Sequence, residues 1–425
     1  MKIIVDAFGG DHAPLEILKG AMQAVDAYDV DIILTGKEAE IRRCAAENRL
    51  QLRRTRIVDA PQVITMEDDA KSVLRSKKDS SLGVAFQLLK AGEGDALVSA
   101  GNTGAVTVGA TLITGRIKGV KRPAIASVMP SASKPFLMMD CGANAECKPE
   151  FLYQFGLLGS LYMQHVLHVK TPRVALANNG TEPTKGTPTV RAAYDLMTAA
   201  PYNFVGNIEG RQIPFGDADV VVADGFTGNL ILKTYEGVAK VLMNEMKGLF
   251  KKNAFTLLSA LGVSGGLKNM KAKFDYKEYG GSVMLGVQKP VVKAHGSADA
   301  RTFKNAIKQA VWFLQNDLIG HIETALAAPA ASGADRRRGY SPWRNNPQSA
   351  ARTRAYSSPA WFSARHKAAG SSPPVRGTRR NFRCRQRRRC APAYSRSAPR
   401  NPDFAPARSA SGQKAPPPPP SGRWS

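Results

Sequence analysis

Long apolar runs are missing from this sequence. None reaches the roughly 18 residues a bilayer-spanning helix needs, which excludes an integral membrane protein of the helical kind. The five cysteines, Cys44, Cys141, Cys147, Cys384 and Cys390, form no Cys-x-x-Cys pair and no Cys/His cluster with zinc-ligand spacing. Reduced thiols are expected, and no metal. No Gly-x-Gly-x-x-Gly follows a candidate strand and no cluster of metal-binding aspartates stands out, which counts against a dinucleotide dehydrogenase and leaves no cofactor to expect. Repeats of 20 to 50 residues are absent too, so solenoids and propellers fall away. The opening Met1-Lys2-Ile3-Ile4-Val5-Asp6 reads as a strand without room for a signal-peptide core, and the expected compartment is cytoplasmic.

The most uneven shortage lies at the C-terminal end. Of the 425 residues, Ala328–Ser425 contain no Leu, Ile or Met and only two acidic residues, against 21 Lys+Arg and 15 of the 27 prolines. Such a segment cannot bury a core. It reads as a disordered Arg/Pro-rich tail or as out-of-frame translation of GC-rich DNA. The other reading is a nucleic-acid-binding arm through Arg379-Arg380 and Arg387-Arg388-Arg389, but sparse aromatic interleaving argues against nucleic acid. The formal charge of +26 divides into +7 for Met1–Ala327 and +19 for the tail, so the basic character belongs to the tail.

What is present in residues 1–327 is an alternation of short aliphatic runs and amphipathic stretches. Ile3–Val5, Asp31–Leu34, Ala96–Ser99, Ala124–Val128, Phe136–Met139, Arg173–Ala177, Phe204–Gly206 and Asp219–Ala223 predict buried strands. Helices are expected from Pro14 through Ala27, from Asp79-Ser80-Ser81 through Lys90, from Pro149 to about His165, over Leu230–Met246 and over Ala300–His321. The fold class is α/β, a mostly parallel Rossmann-like sheet with helices on both faces.

An open sheet of this kind binds ligands at its strand C-termini. Five loops there are rich in Gly, Asn, Asp and Thr: residues 6–14, 99–105, 140–144, 178–186 and 224–229. Glycines allow the backbone to present N–H groups, Asn and Thr add neutral donors, and the following helices add positive dipole ends. That chemistry suits an anion.

The segments IIVDAFGGDHAP, LRSKKDSSLGVAFQLLKAGEGDALVSAGNTGA, GRIKGVKRPAIA, DCGANAECKPE, NNGTEPTKGT, GNIEGR and DGFTGNLILKTYEG, in this order over Met1 to about Leu326, resemble the phosphate acyltransferases of bacterial phospholipid synthesis, the PlsX family. The resemblance implies transfer of a long-chain acyl group from acyl carrier protein to inorganic phosphate by direct attack on the thioester, the acyl phosphate serving a membrane glycerol-3-phosphate acyltransferase. It also implies a fold similar to phosphotransacetylases and to isocitrate and isopropylmalate dehydrogenases, and a homodimer. A short-chain acyl-CoA phosphotransacylase is the competing enzyme on the same fold.

On this reading Lys185, at a strand-to-helix junction, neutralises phosphate or the oxyanion; the alternative is a solvated lysine. Asn229 offers an amide to the carbonyl oxygen, or is a turn residue. Gly101, Asn102, Thr103 and Gly104 form a cradle for phosphate or phosphopantetheine, Asn102 serving equally well as a helix cap. Asp11 and His12 border the same edge, His12 as a proton carrier for the thiol. Asn144 positions a ligand, and Asp224 orients Lys185 or Lys233. The basic run Arg116, Lys118, Lys121 and Arg122 is a docking face for an acidic carrier protein or a solvated charge run. Cys141 and Cys147 read as packing residues rather than nucleophiles. Finally, Leu249, Phe250, Phe255, Leu257, Leu258 and Leu261 alternate with lysines in a helical hairpin at about 244–275. It is suited to lie on anionic lipid, with a dimer interface as the competing account.

Overall fold

A computed structural model describes residues 1–250, 252–274 and 278–327; the tail expected from residue 328 onward lies outside the described residues. These form one mixed sheet of eleven strands: β1 (Lys2–Asp6), β2 (Asp31–Gly36), β3 (Thr55–Asp59), β4 (Ala96–Ser99), β5 (Ala124–Met129), β6 (Phe136–Met139), β7 (Val174–Asn178), β8 (Phe204–Glu209), β9 (Val220–Val222), β10 (Gly281–Leu285) and β11 (Val291–Ala294). Their spatial order is β3-β2-β1-β4-β11-β10-β5-β6-β9-β7-β8. The helices are α1 (Leu15–Tyr28), α2 (Glu38–Glu47), α3 (Ser81–Ala91), α4 (Thr103–Gly109), α5 (Pro149–His165), α6 (Pro188–Thr198), α7 (Gly225–Phe250), α8 (Ala254–Phe274), α9 (Ala300–Gln315) and α10 (Leu318–Ala327).

Strand side chains alternate between two cores. Ile3, Val5, Ala96, Val98, Ala126, Leu137, Val283 and Val292 pack with α1, α5 and α9 on one face. Ile4, Leu97, Ile125, Met138, Met284 and Val291 pack with α3, α4 and part of α7 on the other. Gly20 on α1 permits the close approach of α9, since a Cβ there would stand 2.7 Å from the Ala300 carbonyl. Caps start the helices where the sequence signals them: Ser80 Oγ accepts from the Gly83 N–H at 3.1 Å, and Asp299 accepts from the Thr302 N–H at 2.9 Å.

The expected mostly parallel sheet is found, with one reversal that the sequence did not announce. β10 runs antiparallel to β11 and β5, and β5 antiparallel to β6. Consequently β6, β7, β8 and β9 run opposite to β1, β2, β3, β4, β5 and β11. The five polar loops therefore do not share one edge: those after β1 and β4 lie at one end of the strands, and those after β6, β7 and β9 at the other. Two helices also differ from expectation. The predicted Ala300–His321 helix breaks at Asp317, whose φ of 43° is left-handed, into α9 and α10. The first arm of the hairpin is the whole of α7, which ends at Phe250, and the second is α8, which starts at Ala254. Leu249 on it is 65% exposed and Phe250 half-buried; Phe255, Leu257, Leu258 and Leu261 fall on α8, their side chains lying outside the described set. No helix among the described residues is long and apolar enough to cross a membrane.

Candidate active site

A cavity of about 240 Å3 lies on the sheet face beneath α7. Its floor is β5, β10 and the end of β11; its roof is one face of α7, carrying Asn229, Leu232, Lys233, Glu236 and Ala239 at helical spacing. Ile125, Val128, Met129, Leu232 and Ala239 make much of the wall apolar. Polar groups collect where β11 ends: Lys293, His295 and Lys233, with Thr103 from α4.

Lys233 Nζ lies 3.0 Å from Glu236 Oε2 and 3.4 Å from His295 Nε2. The Ser297 N–H donates to His295 Nδ1 at 3.3 Å, so the neutral ring carries its proton on Nε2, which lies 3.8 Å from Glu236 Oε2. Burial, with Lys233 beside it, holds the imidazole below its ordinary value, Glu236 opposing. Lys293 is only 8% exposed; burial brings its ammonium down to about 8, Lys233 acting in the same direction and Asp6 and Asp11 against it. The Asp6 carboxyl is raised by burial although Ser99 Oγ donates to it at 2.7 Å.

Several expected residues do meet at this end. The β1–α1 loop abuts the loop after β11, where the Asp11 N–H donates to the Gly296 carbonyl at 2.8 Å. His12 is exposed beside it. Gly9 and Gly101 let the loops after β1 and β4 touch, since a Cβ on Gly9 would stand 2.6 Å from the Gly101 nitrogen; Gly104 likewise leaves room for Ala70. Asn102, by contrast, is a cap and clamp. Its Oδ1 accepts from the Ala105 N–H at 3.0 Å and its Nδ2 donates to the carbonyls of Thr65, Met66 and Asp68, each at 3.2 Å.

At the opposite end the side chains are mostly spent on structure. Buried Asp140 accepts from the N–H groups of Ile125 (2.9 Å), Ala143 (3.1 Å) and Asn144 (2.7 Å), and from Asn144 Nδ2 (2.9 Å), which also reaches the Pro123 carbonyl at 2.8 Å. Asn144 thus fastens the 140–144 loop instead of facing a ligand. Asp224 turns to Thr227, accepting from its N–H at 2.8 Å and its Oγ1 at 2.9 Å; it caps α7 and does not orient Lys185 or Lys233. Asn229 is seated by this loop, a Cβ on Gly142 standing 3.7 Å from its Cγ, and it lines the cavity. Lys185 does not line it. That lysine is exposed on the β7–α6 loop, its N–H donating to the Glu182 carbonyl and its carbonyl accepting from Asn178 Nδ2 at 3.1 Å.

Arg116, Lys118, Lys121 and Arg122 are all exposed on the loop before β5. The Arg116 guanidinium donates to the Lys121 carbonyl at 2.6 Å, and Gln154 pins the loop through the Lys121 N–H and the Gly119 carbonyl. Cys141 borders the cavity, but its thiol donates to the Met138 carbonyl and is pushed up to about 12 by burial, so it offers no thiolate. Cys147 is likewise raised to about 12 by burial.

Lys293, His295, Glu236, Asp6 and Ser99 were not singled out from the sequence. The signal existed: Val291-Val292-Lys293-Ala294-His295-Gly296-Ser297 is an aliphatic run followed by a Gly- and Ser-bearing loop, like the five that were noticed. Its strand is four residues long and follows Pro290, which hid it.

A ligand-sized cavity on one face of a two-faced α/β sheet, cationic at one end and apolar along its wall, belongs to the class of α/β enzymes. Residues 1–321 match the family described as "Fatty acid synthesis protein", and the chain belongs to that family. It is an acyltransferase. Among its relatives, a protein named "Phosphate acyltransferase" from Alkaliphilus oremlandii (strain OhILAs) is 46% identical over 328 residues, 77% of this chain and 98% of that one. Another of that name, from Clostridium novyi (strain NT), is 45% identical over 76% of this chain and 98% of its own. Of solved structures, a phosphotransacetylase from Streptococcus pyogenes aligns with a TM-score of 0.49 at 18% identity, over 73% of this chain and 94% of that one.

Proposed function

We propose that the protein transfers a long-chain fatty acyl group from the thioester of acyl carrier protein to inorganic phosphate, yielding acyl phosphate for phosphatidic acid synthesis. The observation that carries this reading is the cavity itself, which joins two lysines and a histidine to an aliphatic wall, while the cysteine on its lining is held as a thiol. Phosphate is then the nucleophile. One of its oxygens bonds to the carbonyl carbon, the carbon–sulfur bond breaks, and the proton of hydrogen phosphate ends on the departing thiolate. Holding both substrates in one cavity removes much of the entropic barrier. An amide from Asn229 aimed at the carbonyl oxygen contributes about 2.7–4 kcal/mol, the usual worth of one such donor.

The exposed basic run on the loop before β5 suits an acidic carrier protein, whose approach it would steer. The hairpin suits a surface rather than a span: Phe226, Leu230, Val238, Val241, Leu242 and Leu249 form an exposed stripe along α7, with lysines on both helices. We assign it to peripheral contact with anionic lipid, where the product meets a membrane glycerol-3-phosphate acyltransferase, alongside pairing of two copies. Incubation of the full chain with palmitoyl acyl carrier protein and phosphate should give phosphate-dependent thiol release and a hydroxamate-trappable acyl phosphate. Reaction only with acetyl- or butyryl-CoA would replace this reading by a short-chain phosphotransacylase; reaction with neither would overturn both.

A further inference from the structure

Five adjacent strands carry a single polar row across the cavity face of the sheet. Ser99 on β4 stands opposite Lys293 on β11, Lys293 opposite Ser282 on β10, and Ser282 opposite Ser127 on β5. Asp6 at the end of β1 extends the row through its hydrogen bond with Ser99. The residues beside each of these in sequence, Val5, Val98, Val292, Val283 and Ala126, turn to the opposite core, so alternation delivers all five polar side chains to the same side. At its far end the hydroxyls of Ser282 and Ser127 bond to each other.

Lys293 stands in the middle of this row. An ammonium has three donors; here one goes to the Ala100 carbonyl at 3.2 Å and one to the Ala294 carbonyl, leaving one for the cavity that Lys293 lines. Among the described residues no carboxylate lies within ion-pair distance of it. An unpaired buried cation is costly, on the order of several kcal/mol, and a dianion in the cavity would supply the missing counter-charge. A second ammonium, Lys233 Nζ, and the Nε2–H of His295 converge on the same end of the cavity.

Resting on the reading that phosphate is the acyl acceptor, we infer that Lys293, Lys233 and His295 form the subsite for the phosphate dianion at the β11 end of the cavity. Asn229 and the apolar wall are then left to the thioester. The titratable groups that face Lys293 are Asp6 and Asp11 from β1 and its loop, Lys233 and Glu236 from α7, and His295. Because the dianion favours charged Lys293, affinity for it declines above about pH 8 as the ammonium loses its proton.

The test is titration calorimetry of the full chain with inorganic phosphate, beside steady-state kinetics, for the wild type, Lys293→Met, Lys233→Met and His295→Gln. Lys293→Met should raise the phosphate Kd and KM by at least about tenfold, one charge-assisted hydrogen bond's worth, with the acyl-donor KM changed by less than about threefold. Lys233→Met, at a half-exposed position, carries the same expectation should Lys293→Met fail to fold. A phosphate Kd within about twofold of wild type in folded Lys293→Met or Lys233→Met overturns the subsite. If the wild type forms acyl phosphate while both variants keep its phosphate KM, the reaction stands and the subsite falls. If the wild type binds phosphate and the variants lose it, yet no thioester reacts, the subsite stands and the reaction falls.

Discussion

Removing the Asp140 carboxylate should loosen the loop that seats Asn229. In the native protein this group, fully buried, gathers three backbone N–H groups and the Asn144 amide. Asp140→Ala strands at least two of these donors, those of Ile125 and Ala143, at about 1–3 kcal/mol each. Relief of burying a carboxyl that burial already raises offsets part of this, and about 3 kcal/mol net is expected. Asp140→Asn keeps one acceptor oxygen for Ile125 and Ala143 but turns an amide toward the Asn144 N–H, so about 1–2 kcal/mol is expected. Urea denaturation reads both as shifts in midpoint at constant slope. Activity should fall with stability, because the Asn144 carbonyl accepts from the Gly225 N–H at 2.7 Å and thereby fixes the start of α7, one turn before Asn229. A loss under about 1 kcal/mol for Asp140→Ala, or equal losses for Ala and Asn, would refute the account.

Asn229→Ala should lower acyl-phosphate formation about 100-fold with unchanged thermal unfolding; a near-normal rate would remove it from the reaction. Lys185→Ala separates the role implied by family resemblance from the exposed position of that lysine: a drop above about tenfold in rate supports a part in the reaction, whereas an unchanged rate makes it a solvent lysine. His165 stacks on His321 at 3.6 Å, and burial, with His321 and His168 nearby, lowers it from 6.5 to about 4. The unfolded chain then binds more protons between these values, so stability is held above pH 6.5 and lost as pH falls toward 4, by about 1–2 kcal/mol once solvent screening is allowed for. His165→Gln should flatten that part of the urea-midpoint profile against pH; an unaltered slope would contradict it. Leu242→Glu with Leu249→Glu should release the protein from anionic vesicles in sedimentation, and retention would point to the stripe being a protein interface.

Of the eight strands that were legible, seven are aliphatic runs wholly or largely buried, while the eighth, β8, lies at the sheet edge with only Ile208 buried; β7 and β9 emerged within a residue of the expected ends. Three were not. β3 is an edge strand of alternating exposure, Thr-Arg-Ile-Val-Asp, and β10 and β11 are short segments around Gly286 and Pro290 that become strands by pairing with β5 and β4, more than 150 residues away. Local propensity carries no information about such partners. The unread hairpin cost the site its central lysine.

The sequence by itself determined the alternation of strand and helix, the caps at Ser80, Asn102 and Asp299, the polar loops, and the family, since these rest on neighbours in the chain. Only the tertiary structure decided which loops meet. The antiparallel pairings of β10 with β11 and β5, and of β5 with β6, reverse half of the sheet and send the 178–186 loop, with Lys185, to the far end of the strands. The same pairings set Asp6, Ser99, Lys293, Ser282 and Ser127 on one register line. Register is a property of paired strands, and no single strand contains it.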